Sequence, residues 1–285
     1  MLRLITLAII GAWAIFSQAA PLTFTAAGAN PAAIQGTVDA FRTALGTLNA
    51  NVVGSFGSGR REINWDGVPD ALAAPNNLPA NFFNVNSPRG VVFSTPGTGF
   101  QVSATVASGT PVEFGNINAT YTGLFTTFSA QRLFTALGSN IVDINFFIPG
   151  TTTPAFTTGF GSVFSDVDIA NATTIQFFNL ANASLGTFSV PNTSGNETLS
   201  FLGVLFNAGE QVSHVRITSG NSALGPNESP TTDLVVMDDF IYAEPRAIAE
   251  PASLGLILLG LLVITGFTRS SAQHVSVRRA VRPRQ

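Results

Sequence analysis

Sixteen acidic residues and two histidines limit the chemistry open to this chain of 285 residues. Cysteine is absent, which removes disulfides, thiolate metal sites and cysteine nucleophiles. The second histidine lies near the C-terminal end, so a Ser–His–Asp arrangement in the body would have to use His214. No Gly-x-Ser-x-Gly elbow leads into a helix, and one histidine without cysteine does not make a zinc site. The densest acids are Asp166/Asp168 and Asp238/Asp239. Asp166 and Asp168 flank Val167 and are expected on one side of a strand; Asp238 and Asp239 are expected on opposite sides. Two carboxyls facing across a cleft, about 5–10 Å apart, would suit glycoside hydrolysis, but nothing in the spacing selects an acid–base pair. Calcium takes several oxygen ligands at once. Asp166, Asp168 and Asp238 are candidate ligands if their strands neighbour, and calcium is the one cofactor suggested; no EF-hand loop is present. Trp65 stands beside Asp66 and near Arg61. That trio fits a glycan contact, with the indole stacked on a sugar ring, though such a tryptophan more often plugs the end of a β-sandwich.

The elements that must position these residues are read from hydrophobic periodicity. Ile34, Val38, Phe41 and Leu45 recur at helical spacing, predicting an amphipathic helix over 31–48 with Pro31 in its first turn. Residues 49–87, rich in Gly, Asn and Pro, read as a long ordered loop. From Val91 onward, short runs of Val, Ile, Phe and Thr alternate with turn signals. Strands are expected at 91–93, 100–104, 141–148, 163–169, 174–180, 185–190, 199–206, 212–218 and 234–242. The segment 174–190 reads as a hairpin, and on 212–218 His214 and Arg216 share the polar face. The pattern predicts a mainly β fold, an antiparallel jelly-roll-like β-sandwich with one N-terminal amphipathic helix.

Charged residues make up only 10% of the chain, against about 25% in an ordinary soluble domain, and every basic residue is arginine. All sixteen acids fall between Asp39 and Glu250, among seven arginines. An acidic body repels phosphates, which argues against nucleic acid as a partner. Its largely neutral polar surface suits an extracellular setting.

The two ends are unlike the body. Arg3, an apolar run to Phe16 and Ser17-Gln18-Ala19 have the three-part layout of a secretory signal, with cleavage by signal peptidase expected after Ala19. Residues 252–268 form an uncharged stretch rich in Leu, Ile and Gly, about 24 Å long if helical, predicting a short transmembrane helix. The five arginines of 269–285 are expected to remain cytoplasmic. The organisation is thus a signal peptide at 1–19, an N-terminal segment with the helix at 20–48, a β-sandwich body at 49–244, a linker at 245–251, the span at 252–268 and a basic tail.

Glu250-Pro251-Ala252-Ser253, followed by the apolar stretch and terminal arginines, resembles the PEP-CTERM sorting signal. The resemblance covers about 25 residues, with Ala249, Glu250 and Pro251 as the motif and Ala249 in place of its first proline. It implies an exosortase-type membrane sorting enzyme as a partner, and an address in the cell envelope or exopolysaccharide matrix. The body, through 59–69, 86–93 and 234–242, resembles a group of uncharacterised bacterial secreted proteins, which brings no activity with it. The expectation is a non-catalytic exported envelope or matrix protein, with exopolysaccharide as a candidate ligand. A secreted carbohydrate-active enzyme and an unprocessed membrane-anchored protein are the alternatives.

Overall fold

The computed structural model describes residues 20–248. The signal segment, the motif Ala249-Glu250-Pro251, the apolar stretch 252–268 and the basic tail lie outside the described residues. Among the described residues no helix is long and apolar enough to cross a membrane.

In chain order the elements are β1 (Leu22–Gly28), α1 (Pro31–Leu45), β2 (Arg60–Ile63), α2 (Phe82–Val85), β3 (Val91–Ser94), β4 (Gly99–Val102), β5 (Phe134–Leu137), β6 (Ile141–Phe146), β7 (Ala155–Phe156), β8 (Gly159–Ser165), β9 (Thr174–Asn179), β10 (Ser184–Ser189), β11 (Leu199–Leu205), β12 (Val212–Thr218), β13 (Val236–Ala243) and β14 (Arg246–Ala247). One sheet runs β1-β11-β8-β13-β5-β4, with β2 also on β13; a second runs β10-β9-β12-β6-β3, and β14 and β7 form a two-stranded third. All strand pairs are antiparallel. The first two sheets enclose a core that includes Phe93, Phe134, Ile144, Phe160, Phe177, Val215 and Phe240. This is the expected antiparallel β-sandwich.

The helix forms where its spacing predicts. The Asn30 side chain accepts from the Ala33 N–H, capping the N-terminus, and Ile34, Val38, Phe41 and Leu45 are buried. They pack on the outer face of the first sheet against Val163, Phe201 and Ile241. Contact is close because a Cβ on Gly203 would lie 2.8 Å from the Phe41 ring and one on Gly161 2.9 Å from it. With a helix on one face and a sheet on the other, β8 and β13 are buried along their whole length. The second sheet keeps one face towards solvent, and β6 alternates between buried and half-buried residues. On that outer face Arg216 pairs with Asp143 across the β12–β6 register, and His214 stacks on Phe178 with centroids 4.3 Å apart.

Three differences from the sequence expectations affect the site. Residues 20–48 are part of the sandwich, since β1 pairs with β11 along its full length as an edge strand. The 49–87 stretch contains β2, which completes the flank of β13 at Phe240–Ala243. The register on β13 shifts between Met237 and Phe240, a bulge at Asp238 and Asp239. Alternation fails there, and both acids reach Ser129 Oγ instead of opposite faces.

Antiparallel pairing gives the sandwich two poles, separated by the length of β8, about 20 Å at ~3.3 Å per residue. At the first pole Leu22 pairs with Leu205, and Leu205 with Gly159. Ala44, Leu45, Ala243, Glu244 and Arg246 line one 170 Å³ cavity there. At the second, Ser165 pairs with both Leu199 and Val236. The chain crosses between the sheets at this pole through the loops 166–173, 190–198 and 219–235.

Candidate metal centre

The three crossing loops bring together acids that are far apart in sequence. Asp166 and Asp168 leave the end of β8, and Glu228 lies in the loop that precedes β13. One carboxylate oxygen from each lies within 4.8 Å of the others. Pairing of β8 with β13 explains the meeting, because the chain after an antiparallel strand and the chain before its neighbour emerge at the same end. Asp233 belongs to the same loop and is buried. Its Oδ1 accepts from the Asp168 N–H at 3.1 Å.

The frame around the acids is tightly built. Asp166 has φ +71°, a left-handed conformation uncommon for a residue with a Cβ, and its N–H donates to the Thr198 carbonyl at 2.9 Å. Asp168 accepts from the Gly195 N–H through Oδ1, and its carbonyl accepts from Asn192 Nδ2. The Glu228 loop is held by Tyr121, whose hydroxyl donates to the Pro226 carbonyl at 2.8 Å and accepts from the Gly225 N–H at 2.7 Å. The Tyr121 ring is anchored in a separate apolar cluster with Phe114, Phe125, Leu133 and Leu234. Gly220 starts the same loop at φ +60°, and a Cβ there would sit 2.1 Å from the Asp233 carbonyl oxygen. The chain must therefore have glycine at this point.

The electrostatics are one-sided. Asp166 is fully buried, and neither of its oxygens has a hydrogen-bond partner; Glu228 Oε1 and Asp233 Oδ2 are also buried and unpartnered. Burial first, and then the charges of Glu228, Asp168 and Asp233, push the Asp166 carboxyl up to about 9. Burial likewise raises Glu228 and Asp233. Asp166 and Glu228 face each other oxygen to oxygen, a contact that becomes a hydrogen bond only if one of them is protonated. Beside the acids opens a groove of about 580 Å³ lined by Asp168 and Glu228 together with Thr120, Ser194, Asn196 and Asn227. Such a set of oxygens suits a hard cation.

The other candidate residues lie elsewhere. Asp238 is not in the cluster. Its Oδ2 accepts from the N–H groups of Phe128 and Ser129 at 2.6 and 3.2 Å, and burial and neighbouring Asp239 hold its carboxyl well above the usual range. The bulge turns Asp238 inward, and Glu228 supplies the third carboxylate that the sequence pattern assigned to it. Trp65 is 1% exposed. Its ring stacks on Phe134 at 4.1 Å and meets Phe83 and Phe240 edge-on, while Nε1 donates to the Asp238 carbonyl. No face is left for a sugar; Trp65 plugs the sandwich. Asp66 accepts from the Gln131 and Arg132 N–H groups. Arg61 is fully buried in a two-pronged ion pair with Glu244 at 2.8 and 2.9 Å. The glycan contact expected at Trp65, Asp66 and Arg61 is thus occupied by the protein's own groups. Glu228 and Asp233 carried no signal of their own in sequence. Knowledge that β8 pairs with β13 would have found them.

No protein-family model matches the chain, and no curated protein sequence does either.

Proposed function

We propose that this chain is a non-catalytic exported protein of the cell envelope or extracellular matrix, held at one pole of its sandwich and displaying the other. The observation that supports this reading best is the placement of the two ends of the body. Leu22 and the segment Glu244–Ile248 leave from the same pole: Leu22 pairs with Leu205, and Leu205 shares a cavity wall with Glu244 and Arg246. Exposed apolar side chains gather there too. Leu48, Val52, Val53 and Phe56 all lie in the segment that Glu244 ties down through Asn49 Nδ2 and the Phe56 N–H. A body anchored through the chain that follows Ile248 would have its tether at this pole, while the carboxylate groove opens at the other. That groove sets the hydroxyls and amides of Thr120, Ser194, Asn196 and Asn227 beside Leu124, Ile169 and Pro230, a polar and apolar mixture that suits a polysaccharide.

The PEP-CTERM-like motif Ala249-Glu250-Pro251 would direct sorting. Ala249 in the first proline position favours a second reading, an anchor that is never processed. Cell fractionation with mass analysis of both mature ends tests the proposal. Recovery in the envelope or matrix with Ala20 at the N-terminus is expected. A cytosolic protein that retains Met1 would overturn it, and an intact Gln285 on an envelope-bound protein would select the unprocessed anchor.

A further inference from the structure

We infer that Asp166, Asp168 and Glu228 bind one calcium ion, which joins two of the loops that cross the distal pole. Clustered acids alone would not carry this, since acidic groups often gather on solvated surfaces. The deciding feature is the Asp166 carboxylate, which is fully buried and has no donor on either oxygen. A buried polar group without a partner is costly, and a buried unpaired charge more so. Two further unpartnered oxygens, Glu228 Oε1 and Asp233 Oδ2, lie in the adjoining loop. The side-chain charges acting on Asp166 come from Glu228, Asp168 and Asp233, all of one sign. Elsewhere the protein meets its buried acids with arginine or backbone N–H groups. Here those donors go to other atoms, such as Asp168 Oδ1 and Asp233 Oδ1.

Size and chemistry narrow the choice of ion. Calcium holds oxygens at about 2.3–2.6 Å, so three oxygens that all lie within 4.8 Å of one another can share one ion. Magnesium, at about 2.0–2.1 Å and with a strict octahedron, dehydrates reluctantly and would keep most of its water. The absence of nitrogen or sulfur in the cluster disfavours zinc and copper. Six to eight ligands are usual for calcium, and Asp168 and Glu228 line the 580 Å³ groove, through which water and the ion can enter. The site differs from the triad expected in sequence by one residue: Glu228 replaces Asp238, whose carboxylate is already saturated by Phe128 and Ser129.

The test uses the full-length chain in mild detergent, first stripped with chelator. Calorimetric titration with CaCl₂ is expected to show one site, with a dissociation constant between about 10⁻⁶ and 10⁻³ M, and calcium should raise the melting temperature. Asp166→Asn, nearly identical in shape, should weaken binding at least tenfold. Glu228→Gln and Asp168→Asn should do the same, while Asp143→Asn, on the outer face of the second sheet, should leave it unchanged. MgCl₂ should bind at least tenfold more weakly. The inference is overturned if wild-type protein shows neither heat nor a melting shift at 10 mM calcium. That result would mean that Asp166 and Glu228 share a proton instead. It is equally overturned if magnesium matches calcium, or if the calcium response survives in folded Asp166→Asn and Glu228→Gln proteins, as judged by circular dichroism.

Discussion

The two poles of the sandwich bury carboxylates in opposite ways. At the first pole, where Leu22 and Glu244 lie, Glu244 is 1% exposed, yet it accepts from Arg61 Nε and Nη2, from Asn49 Nδ2 and from the Phe56 N–H. Arg61 spends its remaining donors on the carbonyls of Val52, Gly54 and Pro88. The charge is balanced and every prong of the guanidinium is used. At the distal pole, Asp166 is as deeply buried and has no donor at all. The difference shows what each buried charge is for. A saturated pair pins the 48–56 segment to the end of β13 and needs nothing from outside. An unsaturated cluster is neutralised by a proton or, on the inference above, by a cation.

Charge-neutralising substitutions should therefore have opposite signs at the two poles. Glu244→Gln leaves the Arg61 guanidinium buried and short of its counter-charge, a change that costs about 3–5 kcal/mol. Chemical denaturation should show the loss, and calcium should not restore it. Trp65→Ala should cost a similar amount, about 3–5 kcal/mol, through the cavity left against Phe134 and Phe240. Glycan binding, where present, should be lost only in step with stability. Asp166→Asn should instead stabilise the calcium-free protein at neutral pH, by about 1–3 kcal/mol, because the folded protein no longer has to protonate a buried carboxyl and the amide can donate to Glu228. A fall in the calcium-free melting temperature of this variant would break the contrast between the poles.

Tyr121→Phe sharpens the comparison further. It keeps the ring among Phe114, Phe125 and Leu234 and removes only the hydroxyl that joins Gly225 to Pro226. The expected loss is about 1 kcal/mol, with faster hydrogen exchange confined to 221–234 and no change at the first pole.

Local pattern revealed one level of this architecture and missed another. The helix, the 174–190 hairpin and most strands follow from side-chain periodicity, because α1 and the second sheet each show one face to solvent. The β-sandwich class follows from strand density alone. Signals were weakest where a strand is short or poor in large apolar residues: β1 ends in Ala26, Ala27 and Gly28, β2 sits in a turn-rich stretch, and β5 has four residues. The site divides the same way. Asp166 and Asp168 stood out by adjacency. Asp238 was misassigned because a bulge interrupts the alternation of β13, and alternation was the only guide to its direction. Glu228 reaches the cluster through strand order, a long-range property that a single sequence does not display.

The smallest effect expected at the distal pole concerns Glu113, which lies outside the cluster. Burial, and then the charge of Glu197, raise its carboxyl from the ordinary 4.5 to about 7, and its φ of +51° keeps it in a left-handed turn beside Phe114. An acid whose folded-state pKa is raised binds its proton more tightly in the folded protein than in the unfolded chain. Between about pH 4.5 and 7 the folded state thus carries more protons, and stability falls as pH rises through that window. Below it, both states are protonated and the difference vanishes; above it, the penalty is complete. Glu113 is open to solvent on one side, so screening reduces the full linkage value and the expected span is roughly 1 kcal/mol. Glu113→Gln should flatten the stability profile between pH 4.5 and 7 and raise it at pH 7. A profile in Glu113→Gln as steep as in wild type would place the pH sensitivity among other acids of this pole.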